Sequence, residues 1–407
     1  MKLLQVTDKR GVKAFHQVPL HLYRNDPHWV CPLENDLEVL FHRDTNPFLG
    51  DGDCCRWVLF SEQGQAIGRI AAFYSRSHAA REPQPTGGTG FFECIDSQPA
   101  ATILLDAARS WLMSNGMQAM DAPVNPGPND NNWGLLIEGF THPGFGMPYN
   151  FPYYQELFAQ YGFTEYYRQY SYHLNIRKPF PERVWKIAGR VLNRPGFSFR
   201  HFRFRESEKF IADVVKVYNE AWAKFKEDFI PLQPETMRAS LQKAKAVIDE
   251  KLIWFAYHDD EPIAFFILMP DVNQILREMN GKLTPWNLIR FLYYLKTKKI
   301  TRVRAIAAGV IPRFQNSGIE SGIFKQLEKV FFSPGHLHYR EIELSWVGEF
   351  NPKMRSIYES LGADLAKIHI TLRMHFDPEK PVERFMANQT ELVDKFNISQ
   401  FHVKTSS

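Results

Sequence analysis

The residues best suited to chemistry stand where an apolar run passes through a polar loop into a helix. Residues 305–311 (AIAAGVI) read as a strand, 312–318 (PRFQNSG) as the loop, and the segment from 319 as a helix. At such a junction the first backbone N–H groups of the helix have no intrahelical acceptor. They point outward at the positive end of the helix dipole, which suits a pyrophosphate. Gly318 would let phosphate oxygens approach the main chain, and Ser317 and Ser321 would add hydroxyl donors. Other chemistries leave no trace: there is no Ser-His-Asp elbow, no GxxxxGK[ST] phosphate loop, no HExxH pair and no dinucleotide fingerprint. The 14 histidines are scattered, and His336 with His338 reads as a surface loop. No metal is expected. Cys31, Cys54, Cys55 and Cys94 lack the paired spacing of a zinc site and are too few for a disulfide scaffold, so they read as reduced thiols.

The elements that must position this loop are written twice. WVLF (57–60), SEQG (61–64) and AIGRIAAF (66–73) read as a β-hairpin, and WFAY (254–257), HDDE (258–261) and PIAFFILM (262–269) repeat it. Further on, ELFAQYGF (156–163) matches SIYESLGA (356–363), an amphipathic helix ended by a glycine able to take the left-handed conformation. Hairpin Trp and terminal Gly are 105 residues apart in one half and 108 in the other. A duplicated domain leaves this signature. In the first copy a strand at 91–95, a helix at 100–115 and a strand at 119–124 follow the hairpin. Their counterparts are 303–311, 318–332 and 340–347.

At 407 residues the chain exceeds one ordinary core, and ~150 residues per domain favours two domains. The boundary falls in 177–205, a proline-bearing basic segment with a short helix near 184–192 and a strand-like run at 197–205. The division is therefore 1–176, a linker at 177–205, 206–380, and a tail at 381–407. Each domain reads as α/β, a mixed, mostly antiparallel sheet flanked by helices. A net charge of +4 is too small to argue for nucleic acid, although 279–319 carries eight Lys or Arg and no acid. No apolar stretch reaches the ~20 residues of a membrane span, and the start turns polar too early for a signal peptide. A cytoplasmic location is expected.

QNSGIES (315–321), after the Val-Ile-Pro approach of 310–312, resembles the Q/R-x-x-G-x-G/A signature of the GNAT acyltransferase superfamily, with Ser321 where Gly or Ala is usual. Asn351 and Tyr358, in an N-x(6)-Y-x(3)-G run to Gly362, resemble that family's last helix. The resemblance is clear over 210–374. It implies two tandem GNAT-like domains and an acyl-CoA or acetyl-CoA donor contacted by Val310, Ile311, Arg313, Gln315, Asn316, Ser317, Gly318, Ile319, Ser321 and Asn351. It also implies that Tyr358 protonates the departing thiolate, and the strand at Val310 and Ile311 would supply the oxyanion donor. A base to receive the amine proton is sought among Glu349, Glu343 and His142. As alternatives, Asn351 serves as a helix cap and Tyr358 as a core residue.

The first copy lacks the signature at 96–100, and Phe158 replaces the tyrosine. It is expected to bind no cofactor and to shape the acceptor pocket with its loops at 125–134 and 138–150. The whole arrangement resembles tandem-GNAT bacterial proteins, some linked to N-acylation of lipid-like amines. The expected activity is therefore acyl-CoA-dependent N-acylation of a small-molecule or lipid-like amine. The alternatives are a tRNA-dependent aminoacyl or peptidyl transferase of the tandem-GNAT type, drawn from the basic stretch, and a non-catalytic CoA-binding module. The helix at 285–300 places Leu288, Phe291, Leu292 and Leu295 on one stripe and ends in basic residues. It reads either as a core helix or as one that rests on a membrane surface.

Overall fold

Alternating apolar residues and two crossover helices build one continuous sheet. The computed structural model describes residues 1–127, 134–222 and 231–385. Within them the strands are β1 (Lys2–Gln5), β2 (Gly52–Phe60), β3 (Ala66–Ser75), β4 (Thr86–Cys94), β5 (Ala119–Ala122), β6 (Leu135–Glu138), β7 (Thr164–Asn175), β8 (Phe197–His201), β9 (Ile253–His258), β10 (Glu261–Pro270), β11 (Arg302–Val310), β12 (Glu341–Gly348) and β13 (Asp364–His375). They run in the order β1-β2-β3-β4-β5-β13-β7-β12-β11-β10-β9-β8, with β6 also on β13. Both expected hairpins, β2-β3 and β9-β10, form. The pairs β4-β5 and β11-β12 are parallel, so each needs a crossover, supplied by the helices Gln98–Ser114 and Ile319–Phe331. Each helix buries one stripe: Leu104, Leu105, Ala108 and Leu112 in the first, Ile323, Phe324, Leu327 and Phe331 in the second.

The repeat closes on itself by exchange. The last strand of the first copy, β7, pairs with β12, and the last strand of the second, β13, pairs with β5. Their apolar faces follow: Tyr172 and Leu174 enter the core of the second copy, while Ile370, Leu372 and Met374 enter that of the first. Segments 1–176 and 206–380 thus share one sheet. Arg373 ties the exchange with a bidentate pair to Asp121 (2.6 and 2.9 Å) and a bond to Glu82 (2.8 Å).

The helices Tyr154–Tyr161 and Pro352–Ser360 both stop at glycines with positive φ, Gly162 at 109° and Gly362 at 81°, as the repeat requires. The basic linker forms a helix, Glu182–Leu192, and β8, which ends before the single turn Phe204–Glu206. Cys55 and Cys94 lie in the core of the first copy, where burial pushes both thiols up to about 12. Among the described residues no helix is long and apolar enough to cross a membrane. Part of the 125–134 loop (128–133) and most of the tail (386–407) lie outside the described residues.

Candidate active site

β11 and β12 run side by side for three residue pairs, ending at Arg304 opposite Glu343, and then diverge. β11 continues along β10, while β12 continues along β7. Irregularities on both strands accompany the parting. Ile267 faces Ala307 and Leu268 faces Ala305, which leaves Ile306 outside the ladder and 45% exposed. On β12 the register slips between Leu344 and Val347. Extra residues of this kind bend a strand away from its partner. Ser345 Oγ donates to Ala305 O at the apex, and Ala307, Ala308 and Val310 on one arm and Ser345 on the other are partly exposed.

The loop with the phosphate signature closes the wide end of this V. Gln315 Nε2 donates to Val310 O (3.2 Å), Ser317 Oγ donates to Phe314 O, and Lys353 Nζ reaches Gln315 Oε1 (3.4 Å). Asn316 and Gly318 both have positive φ, 65° and 82°. No side chain caps the first turn of the helix Ile319–Phe331, so its leading amides keep their capacity for an anion. Arg313 is exposed beside them, and burial raises the Glu320 carboxyl above its ordinary value. Two expectations change. A Cβ at Gly318 would lie 2.3 Å from Ile187 Cγ2, so the glycine is required by packing of the helix Glu182–Leu192 as well as by its φ. The Ile311 N–H donates to Ile263 O (3.0 Å) and is therefore committed to the sheet.

Asn351 Oδ1 accepts from the Met354 N–H (3.1 Å) and so caps its helix. Tyr358 is 7% exposed, its ring edge-on to Tyr172 at 5.5 Å, and burial pushes its phenol well above the usual range. Phe158 is buried at the matching position, against Phe92.

The first copy departs from this geometry where β4 and β5 should part. Beyond their parallel pairs, the Val124 N–H donates to Thr89 O (2.8 Å) and the Phe91 N–H donates to Asn125 Oδ1 (2.8 Å). Further along β4, Glu93 is buried and accepts from the Tyr23 and Tyr154 hydroxyls, both at 2.8 Å. Protein groups therefore hold the space that is open in the second copy.

Below the apex, one face of the central strands is polar and buried. It carries Arg302 and Arg304 (β11), Glu343 (β12), Gln169 and Ser171 (β7), and Lys367 and His369 (β13). The loop 139–150 of the first copy covers it. Close contact needs a glycine: a Cβ at Gly144 would stand 2.4 Å from Glu343 Oε1. Arg302 organises the cluster. Its Nε donates to Asp271 Oδ2 (2.6 Å), and its terminal nitrogens donate to His142 Nδ1 (2.9 Å), His142 O (3.2 Å) and Pro143 O (3.2 Å). Glu343 Oε2 lies 3.4 Å from Arg302 and 3.8 Å from Lys367 Nζ. Asp271 Oδ1 also accepts from the Phe145 N–H (2.9 Å).

Burial, with Arg302 adjacent, pushes the His142 ring down to about 4, so it is neutral near pH 7. A guanidinium only donates, so Nδ1 accepts and the proton is assigned to Nε2. His142 Nε2 and Glu343 Oε1 are both buried without a hydrogen-bond partner among the described residues, as are Gln169 Oε1 and Ser171 Oγ. Unsatisfied buried groups are costly, and here a donor and an acceptor are both left unpaired on one ion cluster. Of the three base candidates, His142 and Glu343 meet at Arg302. Glu349 is instead clasped by Arg384 (2.8 Å to each oxygen) and accepts from the Arg168 N–H. Arg302, Asp271, Gln169, Lys367 and His369 were not singled out from sequence. The strict alternation KIHITLRMH (367–375) is the signal that would have exposed the β13 members.

One pH effect follows. Burial pushes His369, which is 0% exposed, down to about 4. Its unfolded value is near 6.5, so between those values the unfolded chain binds more protons and stability falls as pH falls from about 6.5 to 4. The loss from His369 is on the order of 3 kcal/mol at pH 4. Urea titrations from pH 7 to pH 4 should show the fall, and His369→Gln should make it shallower, leaving the part due to His142. A variant curve as steep as the parent's would refute this assignment.

No family model matches the chain. Protein YghO of Escherichia coli (strain K12) is 27% identical over 369 residues, 88% of this chain and 91% of that protein. The bacterial ceramide synthase of Caulobacter vibrioides (strain NA1000 / CB15N) is 27% identical over 375 residues, 89% of this chain and 94% of that protein. Among solved structures, a tandem GNAT protein from the clavulanic acid biosynthesis pathway superposes with a TM-score of 0.54 at 13% identity, covering 93% of this chain and 100% of that one. A GCN5-related N-acetyltransferase from Sphaerobacter thermophilus gives 0.50 at 12% identity, covering 94% and 97%. These likenesses extend over both copies and the exchanged strands between them.

Proposed function

We propose that this chain, a tandem GNAT-fold acyltransferase, moves an acyl group from acyl-CoA to the nitrogen of a lipid-like amine, using the second copy. The observation that carries the reading is the V between β11 and β12, open between an uncapped helix start and a buried polar cluster, while its counterpart in the first copy is filled by protein. Arg313, Lys353 and the uncapped amides at the start of the helix Ile319–Phe331 would hold the pyrophosphate, and the arms of the V would flank the pantetheine. The relative named as a ceramide synthase supports a long-chain amine, because a ceramide is the amide of one.

In the proposed step the amine nitrogen bonds to the thioester carbon and the C–S bond breaks. The proton leaving nitrogen goes to Glu343 Oε1, and the His142 Nε2–H donates to the carbonyl oxygen as its charge grows. Tyr358, kept protonated by burial, returns a proton to the thiolate, leaving amide and free thiol. If so, Tyr358→Phe lowers kcat by about 10²-fold with acyl-CoA affinity nearly intact. Turnover at the parental rate would leave the tyrosine a packing residue.

The charged-tRNA alternative drew on the basic stretch 279–319. Arg302 and Arg304 are buried and Arg290 pairs with Glu278 (2.9 Å), so three of the eight are not offered to a nucleic acid, and the phosphate-loop signature favours CoA. The direct experiment supplies acyl-CoAs of graded chain length with a long-chain primary amine and follows amide by mass spectrometry and thiol by a colour reagent. One thiol per amide is expected. No thiol release above the enzyme-free rate at any chain length would reject the function.

A further inference from the structure

The insertion between β10 and β11 carries a bare apolar face on the helix Pro285–Lys296, with five of the exposed large hydrophobic residues of the described chain. Thr284 caps its start, with Oγ1 accepting from the Asn287 N–H (3.2 Å). Its inner side packs Phe291, Tyr294 and Leu295 on the core, and Arg290 and Tyr294 both bond Glu278 at 2.9 Å. The outer side is apolar where a surface helix is ordinarily polar. Trp286 is 71% exposed, Ile289 58% and Tyr293 59%, with Leu288 and Leu292 nearly half exposed beside them. At 100° per residue these five span one continuous arc of the helix. An exposed contiguous apolar patch of this kind marks an interaction surface.

The occupant is chosen by charge. Lys282 precedes the helix, Lys296 ends it, and Lys298 and Lys299 follow, all exposed. The sequence from 279 to 319 contains no acid to offset them. A second copy seated on this face would bring like charges together, whereas an anionic bilayer would meet the lysines with phosphates while Trp and Tyr lie at headgroup depth. The helix is too short to span a membrane and suits one lying in its surface.

The insertion is rooted in the polar cluster. Its first residue, Asp271, takes the Arg302 guanidinium at 2.6 Å, and the Asp271 N–H donates to Arg302 O (2.9 Å). We propose that the helix Pro285–Lys296 docks the protein on an anionic membrane surface. The inference goes beyond the acyl-transfer reading, since binding is read without any substrate.

The test is flotation of the full chain with vesicles of equal parts phosphatidylglycerol and phosphatidylcholine, and with phosphatidylcholine alone. Co-flotation with the anionic vesicles, weakened by salt, is expected. Trp286→Ser with Ile289→Ser, and separately Lys296→Glu with Lys299→Glu, should each lower partitioning by more than about tenfold while thermal midpoints stay put, because these side chains are exposed. Absence of flotation, or variants that float like the parent, would overturn the proposal. So would a sedimentation shift from dimer to monomer in the Trp286/Ile289 variant without vesicle binding, which would give the face to a second copy.

Discussion

Glu343→Gln lowers turnover by about 10³-fold while leaving the affinity for acyl-CoA within a few-fold of the parent. Glu343 is 2% exposed and its Oε1 has no partner among the described residues, so glutamine keeps its shape and removes its ability to take a proton. Stopped single-turnover kinetics should show the loss in the chemical step. Retained kcat with a raised KM would make Glu343 a binding residue and return the base to the open candidates.

Arg302→Met destabilises the fold by about 3–5 kcal/mol, the range for removing one partner of a buried ion cluster. Asp271 (0% exposed side chain) and Glu343 (3%) would lose their shared cation, and His142 its donor. Arg302→Lys should recover little, because one ammonium cannot reach the four acceptors that the guanidinium fork holds. Adding Asp271→Asn should recover more than the sum of the single losses allows, since both charges are then gone. Strict additivity in urea titrations of the four chains would show that Arg302 and Asp271 are not coupled as their 2.6 Å contact implies.

Elements whose cause is local were legible in sequence. The hairpins, the crossover helices and the stops at Gly162 and Gly362 depend on period, turn residues and one left-handed conformation, all written within a few residues. What was not legible depends on partners far along the chain. Alternation marks 364–375 as a strand, yet nothing local says that β13 leaves its own copy to pair with β5, or that β7 crosses to β12. The same gap hid the buried polar cluster: Lys367 and His369 lie on one face of β13 and are buried because the loop 139–150 of the other copy lies over them.

Gly318 shows a position whose cause was only partly legible. Its spacing marked the loop, and its positive φ was foreseeable, but Ile187 as the neighbour that excludes a Cβ comes from the linker helix. The helix Pro285–Lys296 inverts the usual inference from an apolar stripe. Phe291 and Leu295 turn inward as expected, whereas Leu288 and Leu292 of the same stripe face out with Trp286 and Ile289. Periodicity gives the angle between side chains and not the direction of the core.

The measurement that bears most directly on the central claim is amide hydrogen exchange with and without a long-chain acyl-CoA. Slowed exchange is expected at 305–321, along β11 and the helix start, and at 345–351 on the facing arm. Amides at 86–100 and 119–125, the matching elements of the first copy, should be unchanged. Protection in the first copy, or none in the second at saturating acyl-CoA, would contradict the assignment.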